Sequence, residues 1–252
     1  MRAPSLVFDN VTLGYNRHPA VHHLSGEVAP GSLLAVVGPN GTGKSTLLKG
    51  IAGELRPMEG EIRLPDSWDG TLAYLPQTPG FDADFPIPVY DFVSMGLWRE
   101  FGAFRGFSRD ARERLDDAIV AVGLGGFESR PVGQLSGGQF QRARFARLIL
   151  QDASLIVLDE PYNALDEPTA CDLAALVRRW HEEGRTIVSV LHDLARVRQE
   201  YPLTLLLACE RLAYGPTAEV LTEENLARAR ELMEMRGCAK TAVCPVKPER
   251  SH

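Results

Sequence analysis

A glycine-rich segment between an aliphatic run and a helix-favouring stretch constrains the fold of this chain more than any other feature. It follows the run Leu33 to Val37 and consists of Gly38-Pro39-Asn40-Gly41-Thr42-Gly43-Lys44-Ser45-Thr46. Glycines let successive backbone N–H groups turn inward around an anion, and a helix N-terminus adds positive potential. The spacing G-x-x-x-x-G-K-S therefore predicts a phosphate-binding loop, with Lys44 reaching the β and γ phosphates and Ser45 ligating Mg²⁺. A glycine-rich turn without a ligand is the alternative, but it does not require Lys and Ser after the last glycine.

Short apolar runs alternate with helix-favouring stretches along much of the chain. Buried strands are predicted at Leu33–Val37, Leu155–Leu158, Thr186–Val190 and Leu203–Leu207. Helices are predicted at Gly43–Leu55, Gly138–Leu150 and Pro168–Glu183. This alternation predicts an α/β fold whose mainly parallel sheet is covered on both faces.

Two regions depart from that alternation. The segment Ser5 to Val28 has apolar residues at shorter intervals, which predicts an antiparallel β portion. Residues from about 78 to 150 are rich in turns at first and then helical, with one apolar face along Arg109 to Val122, which predicts an inserted helical subdomain. We expect one domain over 1–235 and a flexible tail over 236–252.

Two acidic residues end the second predicted strand. Asp159 and Glu160 follow Leu155 to Leu158, and the carboxyl edge of such a sheet is where a nucleotide would lie. Asp159 is suited to hold Mg²⁺, and Glu160 is suited to polarise the water that attacks the γ-phosphate. Solvated acids at a strand end are the alternative, which the neighbouring phosphate-binding loop disfavours.

Composition excludes several other classes of protein. Lys and Arg total 27 against 33 Asp and Glu, and the formal net charge of -6 disfavours nucleic acid as a partner. Four cysteines in 252 residues are too few for a disulfide framework and suit a reducing cytosol. The aliphatic runs are far shorter than the roughly 20 residues that span a bilayer, and the N-terminus lacks the pattern of a signal peptide. We therefore expect a cytoplasmic protein that reaches a membrane only through a partner.

A third motif resembles the signature of the ABC ATPase family. It reads Leu135-Ser136-Gly137-Gly138-Gln139 and is followed by Gln141 and Arg142. A serine and two glycines at the start of a helix form a second anion-binding surface. In that family this surface faces the γ-phosphate bound by the opposite subunit. The resemblance therefore implies a head-to-tail homodimer that encloses ATP and Mg²⁺.

Further positions match the family's order, and the resemblance implies a role for each. Tyr15 resembles the aromatic residue that stacks on adenine, and Gln77 resembles the glutamine that contacts Mg²⁺ and joins the two subdomains. Asp166, in Asn163-Ala164-Leu165-Asp166, resembles part of the loop that connects the two active sites. His192 resembles the switch histidine that senses the γ-phosphate. The resemblance thus names Lys44, Glu160 and His192 as catalytic residues and Ser45, Gln77 and Asp159 as contacts of Mg²⁺.

The segments Phe85 to Leu97 and Tyr162 to Thr169 resemble the corresponding regions of bacterial importers of zinc, manganese and iron chelates. On that resemblance we expect import of a metal ion, with zinc first and manganese or an iron chelate as alternatives. The partners implied are a transmembrane permease and, through it, an extracytoplasmic solute-binding protein, which would place the chain on the cytoplasmic face of the inner membrane. A non-transport ABC ATPase that acts on nucleic acid or the ribosome is a further alternative, which the acidic composition disfavours.

Overall fold

Two β-sheets carry the fold in this computed structural model, which describes residues 3–65, 68, 70–78, 86–102 and 106–238. In chain order the strands are β1 (Leu6–Tyr15), β2 (His18–Val28), β3 (Leu33–Val37), β4 (Glu59–Arg63), β5 (Leu72–Leu75), β6 (Leu155–Asp159), β7 (Thr186–Val190), β8 (Leu203–Leu207) and β9 (Arg211–Pro216). The helices are α1 (Lys44–Ile51), α2 (Val89–Ser94), α3 (Trp98–Phe101), α4 (Arg109–Ala121), α5 (Gly137–Gln151), α6 (Glu167–Glu182), α7 (Leu194–Glu200), α8 (Thr217–Val220) and α9 (Glu223–Cys238).

The larger sheet has the strand order β5-β6-β7-β3-β8-β9. All of its pairings are parallel except that of β8 with the edge strand β9. The mainly parallel sheet predicted from the sequence is thereby confirmed. Because β3 and β6 both pair with β7, the carboxyl ends of these three strands meet at one edge of the sheet.

Alternate residues of β3 belong to two different hydrophobic cores. Leu34 and Val36 pack with Leu47 of α1 and with the antiparallel sheet. Leu33, Ala35 and Val37 belong to the core that contains α5 and α6. Both faces of the strand are therefore covered, and this explains why its sequence is a continuous aliphatic run.

The smaller sheet is antiparallel, as the sequence predicted, with the order β2-β1-β4. A two-residue turn joins β1 to β2, and both of its residues, Asn16 and Arg17, have positive φ angles of 50° and 64°. Positive φ angles at both turn residues give the turn the twist that a tight β-hairpin requires.

The helical subdomain begins near α2 and ends in the main core. Ser108 caps α4, where its side chain accepts a hydrogen bond from the Ala111 N–H at 3.1 Å. Helix α5 runs out of the subdomain, and its Phe145 stacks on Trp180 of α6 with ring centroids 5.9 Å apart. This packing fixes α5 against α6, so the start of the helix is held by a rigid core.

Two predicted boundaries differ from the structure by more than one residue. Helix α1 ends at Ile51 and not at Leu55, because the N–H groups of Glu54 and Leu55 both turn back to the Lys49 carbonyl. Helix α9 continues through Cys238, three residues into the segment predicted as a flexible tail, and residues 239–252 lie outside the described residues. In the described ranges no helix is long and apolar enough to cross a membrane.

Candidate active site

A cavity of about 600 Å³ opens at the edge of the sheet where β3, β6 and β7 end. Most of its lining comes from the predicted phosphate-binding loop and from the residues that follow β6 and β7. The lining residues are Ala20, Asn40, Gly41, Gly43, Lys44, Ser45, Thr46, Gln77, Glu160, Asn163 and His192. The structure therefore brings together the three residues named as catalytic from the sequence.

The backbone of the phosphate-binding loop requires glycine at two positions. Gly43 has a φ of 90°, and a Cβ there would lie 2.6 Å from a methyl group of Val21. A Cβ on Gly38 would lie 2.0 Å from the carbonyl oxygen of Leu207. Only glycine fits such close approaches, so the loop can present its N–H groups to the cavity.

Lys44 is buried with its ammonium group inside this loop. Its Nζ donates hydrogen bonds to the carbonyl oxygens of Gly38 at 2.8 Å and Pro39 at 2.9 Å. Burial lowers the pKa of Lys44, while the carboxylates of Glu160 and Asp159 oppose that shift. The ammonium group of Lys44 is thus held by two carbonyl oxygens, which are weakly basic. A phosphate oxygen can replace these carbonyl oxygens as its partner.

Ser45 and Asp159 form the part of the site suited to a divalent cation. The Ser45 hydroxyl donates to Oδ1 of Asp159 at 3.2 Å. Asp159 is 2% exposed, and burial raises the pKa of its carboxyl against the opposing effect of the Ser45 hydrogen bond. Hydroxyl and carboxylate oxygens are the donors that Mg²⁺ prefers, so this pair fits the predicted Mg²⁺ site.

Three side chains hold the carboxylate of Glu160. Its Oε2 accepts hydrogen bonds from Nε2 of Gln77 at 2.8 Å and from Nδ2 of Asn163 at 3.0 Å. Its Oε1 lies 2.5 Å from Nε2 of His192. The residue has a φ of 51°, in the left-handed region, and its N–H bonds to the carbonyl oxygen of Val190 on β7. Glu160 is thereby aimed into the cavity from a strained turn.

Asn163 was missing from the site residues predicted from the sequence. It was identified only as part of the loop that ends at Asp166. Its position three residues after Glu160 is the signal that could have revealed its contact, since a turn brings residues at that spacing together.

The signature residues lie outside this cavity. Ser136 caps α5 by accepting a hydrogen bond from the Gln139 N–H, and Oε1 of Gln139 accepts one from the Ser136 N–H. Ser136 and Gly137 are exposed. Asp166 also lies outside the cavity lining, where it caps α6 by accepting a hydrogen bond from the Thr169 N–H at 3.3 Å. Exposed backbone N–H groups at the start of a 15-residue helix form a second surface suited to an anion.

Tyr15, predicted to stack on adenine, is also absent from the lining of the cavity. Its ring is 47% exposed, and the ammonium group of Lys49 lies 5.9 Å from its centroid. The exposed ring can accept a stacked base, so its predicted role stays a prediction.

Comparison with known proteins places this chain in a family. Residues 21–163, more than half of the chain, match the family model of ABC transporters. The chain belongs to the ABC transporter family. The chain is accordingly an ABC ATPase, which binds and hydrolyses ATP.

Similar proteins of this family come from several bacteria. The manganese transport system ATP-binding protein MntB of Halalkalibacterium halodurans is 34% identical, over 89% of this chain and 91% of that protein. The zinc transport system ATP-binding protein TroB of Treponema pallidum is 37% identical, over 88% of this chain and 85% of that protein. The chelated iron transport system membrane protein YfeB of Yersinia pestis is 37% identical, over 88% of this chain and 78% of that protein.

Solved structures give the same assignment. A chain of an ABC transporter in an inward-facing conformation, assigned to the metal-chelate type, superposes with a TM-score of 0.79 at 30% identity. The match covers 90% of this chain and 89% of that one. The α/β fold with its antiparallel sheet is thereby confirmed as that of an ABC ATPase.

Proposed function

We propose that this ABC ATPase powers the import of a transition-metal ion through a membrane permease. The observation that supports this most is that the similar proteins named above belong to manganese, zinc and chelated-iron transport systems and align along most of their length. Zinc was the first expectation from the sequence. These relatives do not favour it over manganese or an iron chelate, so the cargo within this group is open to the experiment below.

The chemistry proposed for the site divides its residues by role. Lys44 and the N–H groups of the loop bind the β and γ phosphates, and the buried charge of Lys44 offsets the charge that develops on the γ-phosphate. Ser45, Asp159 and Gln77 would hold Mg²⁺, which supplies charge neutralisation between the phosphates. The γ-phosphate would then lie in the cavity that Glu160 and His192 also line.

Glu160 is proposed to take the proton of the attacking water. The carboxylate borders the same cavity as Lys44, and Gln77, Asn163 and His192 limit its rotation. A carboxylate held in one orientation keeps the water in line with the γ-phosphate. Such positioning supplies much of the rate enhancement in this class of reaction. His192, two residues beyond the end of β7, would bind the γ-phosphate and Glu160 together.

A head-to-tail homodimer is part of the proposal. The cavity and the exposed start of α5 are separate surfaces, so one chain offers two halves of a site that it does not close by itself. A second copy in the opposite orientation would set its Ser136 and Gly137 against the nucleotide in the cavity. Closure of that interface would then be the step that drives the permease.

The remaining partners are also proposals. A permease would dock on the helical subdomain from the membrane side, and an extracytoplasmic solute-binding protein would deliver the cargo. The chain would act on the cytoplasmic face of the inner membrane. A nucleic-acid or ribosome partner stays disfavoured, because the net charge of -6 opposes binding to phosphate backbones.

Elemental analysis of cells that lack this protein tests the proposal. The cells are grown with scarce metals and complemented with wild type or with Glu160→Gln. A zinc deficit that only wild type restores would establish zinc as the cargo, and a manganese or iron deficit would establish one of the alternatives. An unchanged content of all three metals would contradict metal import and leave the ATPase in place.

A further inference from the structure

A partly buried arginine on α5, Arg144, completes a closed circuit of bonds around the proposed catalytic carboxylate. Nη1 of Arg144 donates to Oε1 of Gln141 at 2.8 Å, and Nη2 of Arg144 donates to the carbonyl oxygen of Pro76. Nε2 of Gln141 donates to the carbonyl oxygen of Pro161 at 2.7 Å. Hereafter "the circuit" means the following six residues: Pro76, Gln77, Gln141, Arg144, Glu160 and Pro161.

The circuit closes through the active site itself. Pro76 is bonded covalently to Gln77, Gln77 donates to Glu160, and Glu160 is bonded covalently to Pro161. The two proline carbonyls that anchor the circuit therefore flank the hydrogen bond between Gln77 and Glu160. Proline has a fixed φ, so a bond to its carbonyl group restrains the neighbouring residue more than a bond to a flexible residue would.

The surroundings of Arg144 make these hydrogen bonds strong. Burial and, to a smaller extent, the charge of the nearby Arg147 lower the pKa of its guanidinium to about 10, which still leaves the group charged at neutral pH. Charged donors form shorter and stronger hydrogen bonds than neutral ones, and low local polarity strengthens them again. Gln141 is itself buried, so its amide is oriented by its two hydrogen-bond partners, Arg144 and Pro161.

The turn at Glu160 needs such support. Glu160 has a positive φ, a backbone conformation that side-chain-bearing residues keep only when their surroundings hold it. Its N–H is held by β7, and its carbonyl side is held through Pro161 by Gln141.

We propose that Arg144 is a positioning residue for ATP hydrolysis, which holds Gln77 and Glu160 together through Gln141 and the carbonyl groups of the two prolines. This rests on the proposed role of Glu160 as the residue that activates water. Arg144 does not touch the nucleotide cavity, so it acts on the rate of the chemical step and not on the binding of ATP.

Steady-state hydrolysis by the full chain tests this with a matched pair of variants. Arg144→Met removes the donors and keeps much of the volume, and we expect kcat to fall about tenfold or more while KM for ATP changes less than about twofold. Arg144→Lys keeps a charged donor and should recover most of the rate. Arg147→Met is the control, because this guanidinium is also partly buried on α5, contacts the Phe92 ring and takes no part in the circuit. It should hydrolyse ATP at the wild-type rate.

A double-mutant cycle separates positioning from a loss of stability. In a Gln77→Ala background the circuit is already broken, so adding Arg144→Met should reduce kcat no further. Thermal unfolding of every variant is measured beside the rates. If Arg144→Met does not fold, Gln141→Met breaks the arm to Pro161 and should show the same loss of kcat at unchanged KM.

Several results would overturn the inference. These are a wild-type kcat for Arg144→Met, an equal loss in Arg147→Met, or losses that multiply in the double mutant. A wild-type rate for Glu160→Gln would overturn the proposed role of Glu160 together with the inference. Full loss in Glu160→Gln with none in Arg144→Met would overturn the inference alone.

Discussion

Nε2 of His192 lies 2.5 Å from Oε1 of Glu160, although the two residues are far apart in the sequence. Glu160 directly follows β6, and His192 lies two residues beyond the end of β7. Since β6 and β7 are paired neighbours in the sheet, both side chains emerge at the same edge. The sheet topology therefore builds the contact between the proposed catalytic carboxylate and the proposed switch histidine.

Replacing His192 should slow hydrolysis by freeing one oxygen of Glu160. We expect His192→Ala to lower kcat by about 10- to 100-fold, because the carboxylate keeps the two amide donors but loses its third partner. The measurement is phosphate release at saturating MgATP. His18→Ala, at an exposed position on the hairpin, is the control and should be silent. Equal rates in both variants would contradict the role of His192.

Glu160→Gln should separate binding of ATP from its hydrolysis. The amide keeps the shape of the side chain but cannot take a proton, so kcat should fall by about 10²- to 10⁴-fold. Binding of a fluorescent nucleotide analogue should remain within about twofold, because Lys44 and the loop are untouched. Glu219→Gln, at an exposed position on α8, serves as the matched control. Loss of binding in Glu160→Gln alone would instead make this residue part of the binding surface.

The central strands could be predicted from the sequence because both of their faces are buried. β3, β7 and β8 have the bounds that their aliphatic runs predicted. β4 was not predicted, since its residues, Glu59 to Arg63, are largely exposed and charged and pair only because β1 offers them an edge. The edge strand β9 was missed for the same reason, because pairing with a strand outside the segment decides whether it forms.

Residue chemistry alone predicted the candidate site only where its residues are contiguous in the sequence, whereas Gln77 and His192 were named through the family resemblance. The loop around Lys44 and the acidic strand end are local patterns whose chemistry follows from spacing. The hydrogen bond between Gln77 and Glu160 depends on the pairing of β5 with β6, and that between Arg144 and Pro76 depends on how α5 packs beside the end of β5. Sequence spacing contains no information on such contacts.

A charge at the start of α5 should prevent nucleotide-driven dimerisation. Ser136 is exposed at the helix N-terminus, where the proposed dimer brings it to the partner's γ-phosphate, and Ser136→Glu would set like charges together. In a Glu160→Gln background with MgATP, we expect sedimentation of a dimer, and a monomer once Ser136→Glu is added. Ser108→Glu removes the comparable cap of α4 and should leave the dimer intact. A dimer that tolerates Ser136→Glu would contradict the head-to-tail arrangement.

The buried carboxylate of Asp159 should cost stability above acidic pH. Burial raises its pKa in the folded protein, so the folded state binds more protons than the unfolded chain between the ordinary value and the raised one. The cost therefore grows as the pH rises through that window, is complete above it, and vanishes below the ordinary value. Asp159→Asn should raise the unfolding temperature at pH 7.5 without Mg²⁺ or nucleotide, and the gain should shrink towards pH 4. Asp117→Asn, on the exposed face of α4, should show no such gain.

The stacked pair Phe145 and Trp180 should contribute more to stability than any exposed aromatic residue. Trp180 is 2% exposed and lies parallel to Phe145 at an interplanar angle of 7°, so it joins α6 to the helix that begins at the signature motif. Trp180→Ala would leave a large cavity there and should lower the free energy of unfolding by about 3–5 kcal/mol. Trp98→Ala is the control, because that indole is 62% exposed and its loss should cost no more than about 0.5 kcal/mol. Denaturant unfolding followed by circular dichroism measures both, and similar midpoints for the two variants would show that the α5–α6 contact does not stabilise the core.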